Sequence, residues 1–589
     1  MLDPKISKYN KTLCVCVLAL LVFTAFLPAL KNNFVNWDDH GYVIDNQAVK
    51  SLSWENTKTI FTSFFIGNYQ PISILSYSLE YYFYDLYPAG YHLTNLILHL
   101  FNSMLVLWLI FILSDDLAVS FIAAILFGIH PLHVESVAWI SERKDVLYAL
   151  FFLGAVISYF YYVKKDRAAK YYYFSLSLFL LALLSKAMAV TLPLTLLLID
   201  YALYRKPDKS VFIEKIPFFA LSLIFGMVCV FSQYFNKCTC PFSSILNVMF
   251  AGNNIMFYLS KIFWPVHLSP LYPNIEGSAF LFYGLLFLFL VFLKRCSRKI
   301  VFGAMLFFIN ILPVIPLLLV ADRYTYIASI GIFYIIGEEF VWLYKRSMPY
   351  ARAIRIFLLA ALIVIVGVLM LLTWKRCTVW KDSVSLWSDA LRNYPASQTA
   401  LKNRGAAYTN NGKIAEAIAD FTKAIEVGPD NALIYTLRAD AYREIGNFEQ
   451  AINDYNKAIG LDPDNALTYF DRGCAYDGKG DLPKAIHDYT KAIEIDPKNS
   501  IEAYNNRGSI YYCRGDFDLA ISDYNKIIEI KPDFARAYND RAAAYLQKKE
   551  YDKSLRDIKK VEELGCEPDP ELLKKLRRLS PLHRRRFAI

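Results

Sequence analysis

This chain carries little charge for its length. Asp, Glu, Lys and Arg make up 20% of its 589 residues, against 56% apolar residues. A composition so apolar excludes intrinsic disorder. Glycine and proline supply only 24 residues each, too few for a collagen-like or low-complexity chain. The ten cysteines are scattered, with no C-x-x-C pair and no histidine partner at zinc spacing. That excludes a zinc module and a disulfide scaffold. Cys14 and Cys16 lie in an apolar run, and one residue between Cys238 and Cys240 would strain a bridge, so all read as free thiols. No G-x-G-x-x-G and no soluble α/β pattern is present, so no nucleotide donor is expected. The net charge of +10 marks cytoplasmic loops rather than nucleic-acid binding.

What is present is apolar length. A soluble protein of this size has no core large enough for so much apolar surface, so most of the chain is expected in lipid. Eleven apolar stretches read as bilayer helices: 12–30, 91–113, 117–134, 145–163, 171–187, 189–204, 216–236, 279–293, 300–320, 326–344 and 354–373. Segment 252–268 reads as re-entrant or interfacial, because Lys261, Trp264, Pro265 and His267 interrupt it. Segments Trp54 to Phe65 and Pro71 to Tyr84 read as helices lying in the interface. With the N-terminus inside, Lys and Arg concentrate in the inside loops, including Lys164, Lys165, Arg167 and Lys170. An odd span count then puts the C-terminal part outside the cytoplasm.

Composition changes near Trp374. Beyond it Arg404, Arg438, Arg472, Arg507 and Arg541 recur at spacings of 34, 34, 35 and 34 residues, each followed by Gly or Ala and, four positions on, by Tyr. Gly412, Gly446, Gly480 and Gly515 mark turns, and Pro429, Pro463, Pro497 and Pro532 close the units. This period is the tetratricopeptide pattern, in which helical hairpins stack into a solenoid. Five repeats are expected. The fifth departs, with Lys549 for the turn glycine and Ser554 for the packing alanine, and a capping helix follows near 570–579. The near-match to a phosphate loop at Gly473–Gly480 is explained by the repeat. The expected division is a multi-span membrane domain (1–375), a connector (376–398), five repeats (399–569), and a capping helix with a basic tail (570–589).

Titratable residues cluster in four places that this topology opens to one side. Asp38 and Asp39 follow the first span beside Trp37. Partial burial and mutual repulsion would raise one of their pKa values, which suits a general base; a hydrated loop is the plain alternative. Residues 130–145 hold His130, His133, Glu135, Glu142, Arg143, Lys144 and Asp145. The histidines read as structural hydrogen-bonding groups, since their spacing departs from H-E-x-x-H and no further metal ligand is evident. Arg143 and Lys144 suit a phosphate or a helix-end salt bridge. Lys186 and the Asp322–Arg323 pair complete the set.

Asp38-Asp39, Tyr69-Gln-Pro71, Tyr91-His92 with Asn95 and His99, His130 to Glu135, Arg143 to Asp145, Ser185-Lys186, Ala321 to Tyr324 and Trp380 to Trp387, in that order before the repeats, resemble the transmembrane-and-tetratricopeptide-repeat O-mannosyltransferase family of the GT-C superfamily. The resemblance implies an all-α fold: a polytopic GT-C-type helix bundle of about eleven spans, followed by the solenoid. It implies transfer of a sugar, mannose in that family, from a polyprenyl- or dolichyl-phosphate donor to a protein hydroxyl. Asp38 would be the base, Asp39 its partner and Glu135 a support or acceptor-orienting group; Arg143, Lys186 and Arg323 would hold the lipid phosphate. No cofactor or metal set is read. The solenoid would dock an acceptor polypeptide through Asn403, Asn505, Asn506 and Asn539, while Tyr435, Tyr469, Tyr504 and Tyr538 serve mostly packing. Two departures stand out. The repeat array is shorter than the family's long ones, and an Asp-Asp pair replaces the Asp-Glu pair of related sites. The expected location is a cytoplasmic membrane in a prokaryote or the endoplasmic reticulum membrane in a eukaryote, with the repeats extracytoplasmic. The alternatives are a non-enzymatic scaffold and a carrier of lipid-linked sugars.

Overall fold

The structure, a computed structural model, describes residues 4–235, 245–272, 296–315, 320–346 and 352–579. The expected span 279–293, Cys238 with Cys240, and the basic tail Arg584–Arg586 lie outside the described residues. Among the described residues every regular element is helical, apart from one isolated bridge between Phe65 and Asn68. The chain divides into two compact units, Met1–Pro395 and Ala396–Ile589.

Among the described residues of the first unit, five segments are long and apolar enough to cross a membrane: Asn10–Lys31, Pro88–Ser114, Ile140–Lys164, Lys209–Ser232 and Arg352–Val379. A sixth, Leu117–Ile129 with Pro131–Ala138, is bent by 50°. The bend falls where His130 takes an extended conformation ahead of Pro131, as the steric clash of a proline with its preceding residue requires. The eleven-span expectation is only partly matched in length. Ala169–Ser185 and Ala187–Ala202 are shorter apolar helices, and the helix Ser329–Arg346 carries Glu338, Glu339, Lys345 and Arg346 at its end. Trp54–Thr62 and Pro71–Tyr84 are helices, started by a Ser53 cap and by Pro71 at the first turn.

Segment 376–398 is not a free connector. The helix Arg352–Val379 runs through its start, and the helix Ser383–Asn393 follows. Trp380 and Trp387 are buried in the first unit. Trp387 Nε1 donates to Asn36 Oδ1 at 2.8 Å, Ser383 Oγ accepts from Asn36 N at 2.8 Å, and the Lys381 carbonyl accepts from Asn33 N at 2.8 Å.

The second unit holds five helical hairpins, from Gln398–Asn410 with Ile414–Val427 to Ala535–Gln547 with Tyr551–Glu563, and a final helix Pro570–Leu579. Small residues let the helices touch: a Cβ at Gly473 would lie 2.8 Å from Tyr489 Cε1. The repeated arginine is a staple. Arg472 forks onto Asp488 at 2.7 and 2.8 Å within its hairpin, while its third nitrogen reaches Asn456 on the preceding hairpin. Asp420, Asp454, Asp523 and Asp557 pair likewise with their arginines, sixteen residues apart.

Candidate functional site

The four clusters meet around Glu142. Its side chain is 1% exposed and lies 3.0 Å from Lys144 Nζ, 3.5 Å from Lys186 Nζ and 3.4 Å from Arg323 Nε. Each cation has a second carboxylate. Lys186 pairs with Asp145, which also accepts from Ser136 Oγ at 3.1 Å. Arg323 pairs with Glu135 through its guanidinium and, at 3.1 Å, through its backbone N–H. Lys144 Nζ lies 3.9 Å from Asp38. Groups this buried are expensive to hold unless paired, and the pairing here links residues from four distant stretches of chain.

Aromatic rings floor the cluster. Trp37 stacks on Trp139 at 4.4 Å, Trp139 on Trp380 at 5.3 Å, and the Arg323 guanidinium lies 5.6 Å from the Trp139 ring. Such contacts stabilise a desolvated cation.

Asp38 and Asp39 differ sharply. Asp39 is buried and accepts from Val35 N at 2.9 Å, Ser141 N at 3.0 Å and the Ser141 hydroxyl. It pins the loop after the first span to the start of the helix Arg143–Lys164. Burial pushes its carboxyl up to about 6 against those hydrogen bonds. Asp38, 27% exposed, has Lys144 as its cation. Burial raises its carboxyl, Lys144 pulls it down, Glu142 raises it and Arg323 lowers it, for a net rise. Asp38 is therefore the open carboxylate of the pair and Asp39 the anchored one.

Arg143 is a correction to the expectation of a phosphate-binding role. Its side chain is fully buried, with Nε on Asn95 Oδ1 at 2.6 Å, Nη1 on Glu80 and Nη2 on the Tyr91 carbonyl at 2.8 Å. All three nitrogens are engaged away from the cluster, and the neighbouring Lys144 faces it instead. Asp322 does not pair with Arg323 either; it accepts from Tyr272 Oη at 2.7 Å. His130 and His133 hydrogen-bond as expected, and His99 does the same. His130 Nε2 donates to the Ile262 carbonyl at 3.0 Å, His133 Nδ1 to the Phe127 carbonyl at 2.7 Å, and His99 Nε2 to the Gly128 carbonyl at 2.9 Å. Among the described residues, no group of three or more His, Cys, Asp or Glu side chains is arranged to hold a metal ion.

In the second unit the four asparagines differ. Asn505 is buried with its Oδ1 unpaired. Asn506 Nδ2 reaches Tyr489 Oη at 3.4 Å, and Asn539 Oδ1 accepts from Asp569 N at 3.1 Å. Asn403 is half-buried and engaged. The tyrosines Tyr435, Tyr469, Tyr504 and Tyr538 pack their rings near the staple arginines, 5.5–6.0 Å from the guanidinium carbons.

Tetratricopeptide-repeat family models match residues 399–431, 466–499 and 501–534, with further matches at 421–453 and 439–480. The chain is 32% identical over 172 residues to the Mus musculus protein O-mannosyl-transferase TMTC3, covering 27% of this chain and 18% of that one. It is 24% identical over 450 residues to the Caenorhabditis elegans protein O-mannosyl-transferase F38B6.6, covering 70% of this chain and 62% of that one. A match over 70% of this chain runs well beyond the repeat unit Ala396–Ile589 into the first unit. A solved structure of MamA is similar at 29% identity and a TM-score of 0.28, covering 29% of this chain and 92% of that one. The family that the sequence motifs resemble is the one whose names these relatives carry.

Proposed function

We propose that the chain is a membrane glycosyltransferase that moves a sugar, mannose by its relatives' names, from a polyprenyl-phosphate donor to a hydroxyl of a protein acceptor. The observation that carries this reading is the cluster itself: an open carboxylate, Asp38, beside cations gathered on one buried glutamate. An anchor has no use for buried charge at membrane depth, where ionisable groups mark functional sites. That disfavours the scaffold alternative.

In the proposed reaction Asp38 takes the proton of the acceptor hydroxyl. The hydroxyl oxygen forms a bond to the anomeric carbon as the bond from that carbon to the phosphate oxygen breaks. The electron pair leaves on the phosphate, and direct displacement inverts the anomeric configuration. Lys186 and Arg323 neutralise the departing phosphate, an electrostatic contribution expected to be large. Glu135 keeps Arg323 in place. The repeats recruit the acceptor on the extracytoplasmic side.

The test uses the purified full-length protein in detergent with a Ser/Thr-rich acceptor protein. Label from polyprenyl-phosphate mannose should enter the acceptor, and label from nucleotide-linked mannose should not. Transfer from the nucleotide sugar alone, or movement of the lipid-linked sugar between leaflets without a new glycosidic bond, would overturn the reading.

A further inference from the structure

Lys144 stands between two carboxylates of unequal exposure. Its Nζ is 3.0 Å from Glu142 Oε1 and 3.9 Å from Asp38 Oδ2; the Glu142 side chain is 1% exposed and that of Asp38 27%. The ammonium is 5.0 Å from the centre of the Tyr42 ring and 6.0 Å from that of Trp139. Glu142 therefore holds the amine inside, between two rings. An ammonium carries three donors, and one on Glu142 leaves two for the side where Asp38 lies. Glu142 is in turn shared with Lys186 and Arg323, so Asp38 connects through Lys144 to both cations assigned to the phosphate.

We propose that Lys144 is a positioning residue of the transfer reaction, one that orients the Asp38 carboxylate and ties it to the Glu142 hub. The proposal rests on the reading of Asp38 as the base. The groups acting on Asp38 are Lys144, Glu142 and Arg323, with Asp39 and Tyr42 adjoining in the same loop. Of these Lys144 exerts the strongest pull toward the ionised form, against burial and Glu142. Without Lys144, Asp38 would ionise only at higher pH, and its carboxylate would lose the partner that fixes its direction.

The experiment measures mannose transfer against pH by the full-length protein in detergent, for wild type, Lys144→Met, Lys144→Arg and Asp38→Asn. Lys144→Met is expected to move the acidic limb of kcat/KM upward by about one pH unit and to lower kcat about tenfold, with donor KM changed less. Lys144→Arg should return the limb to its wild-type place. If Lys144→Met does not accumulate as folded protein, Lys144→Gln carries the same expectation. An acidic limb unmoved in the uncharged variant, or a loss confined to donor KM, overturns the role of Lys144. Wild-type turnover in Asp38→Asn instead overturns the base, so the two failures are told apart.

Discussion

Single side chains separate the two adjacent aspartates and the two adjacent cations. Neighbours in sequence point to different sides of their backbone, and a sequence alone does not say which one faces a site. That is why the residues alone left open which of Asp38 and Asp39 is the base, and why Arg143 was expected at the phosphate. The structure gives Arg143 to Glu80, Asn95 and Tyr91. Arg143→Met should therefore act on stability, destabilising by about 3–5 kcal/mol because Glu80 is left buried without its cation; thermal unfolding in detergent reads this. Lys186→Met should raise donor KM and also lower the unfolding temperature, because Asp145 is left buried without its cation. Asp39 supplies a pH prediction. Its folded pKa of about 6 lies above the ordinary 3.8, so the folded state binds the proton more tightly. Its stabilisation is full below pH 3.8 and is lost as pH rises through about 6, a swing of at most about 3 kcal/mol. Between pH 4 and 7 the unfolding temperature of Asp39→Asn should vary less with pH than that of wild type; equal slopes would mean that this group is silent.

At the scale of elements, the repeats were legible because a fixed period survives in the sequence. The staple was half legible. The arginines recur visibly, but their aspartates lie across each hairpin, sixteen residues on, and only the fold brings them together. Arg472→Ala should destabilise the repeat unit by about 3 kcal/mol, and an Asp488→Ala cycle should recover most of it as coupling. The fifth repeat offers a gain. Lys549 occupies the left-handed conformation, at φ 64°, that glycine takes in the other four turns. Lys549→Gly should raise the stability of the unit by about 0.5–1 kcal/mol, measured by denaturant unfolding of the full chain. The span count was less legible. Apolar runs mark where helices lie and Pro131 marks the break after His130, but the runs do not show that Ala169–Ser185 and Ala187–Ala202 form helices this short.

For the whole molecule, the division near residue 395 places Lys381 and the helix Ser383–Asn393 with the first unit, Lys381 held by Asn33 and the helix by Asn36 of the Asp38 loop. Composition alone put the change earlier, near Trp374, because polar residues begin where the last long apolar helix ends. A truncation after Pro395 should keep donor binding and lose acceptor use, whereas one after Thr373 should also lose the base. The central claim concerns Asp38, and its most direct measurement is mannose incorporation by Asp38→Asn beside wild type, in membranes supplied with labelled polyprenyl-phosphate mannose. Asp38→Asn should lose about a hundredfold or more of the incorporation with donor binding retained. Incorporation equal to wild type would contradict it.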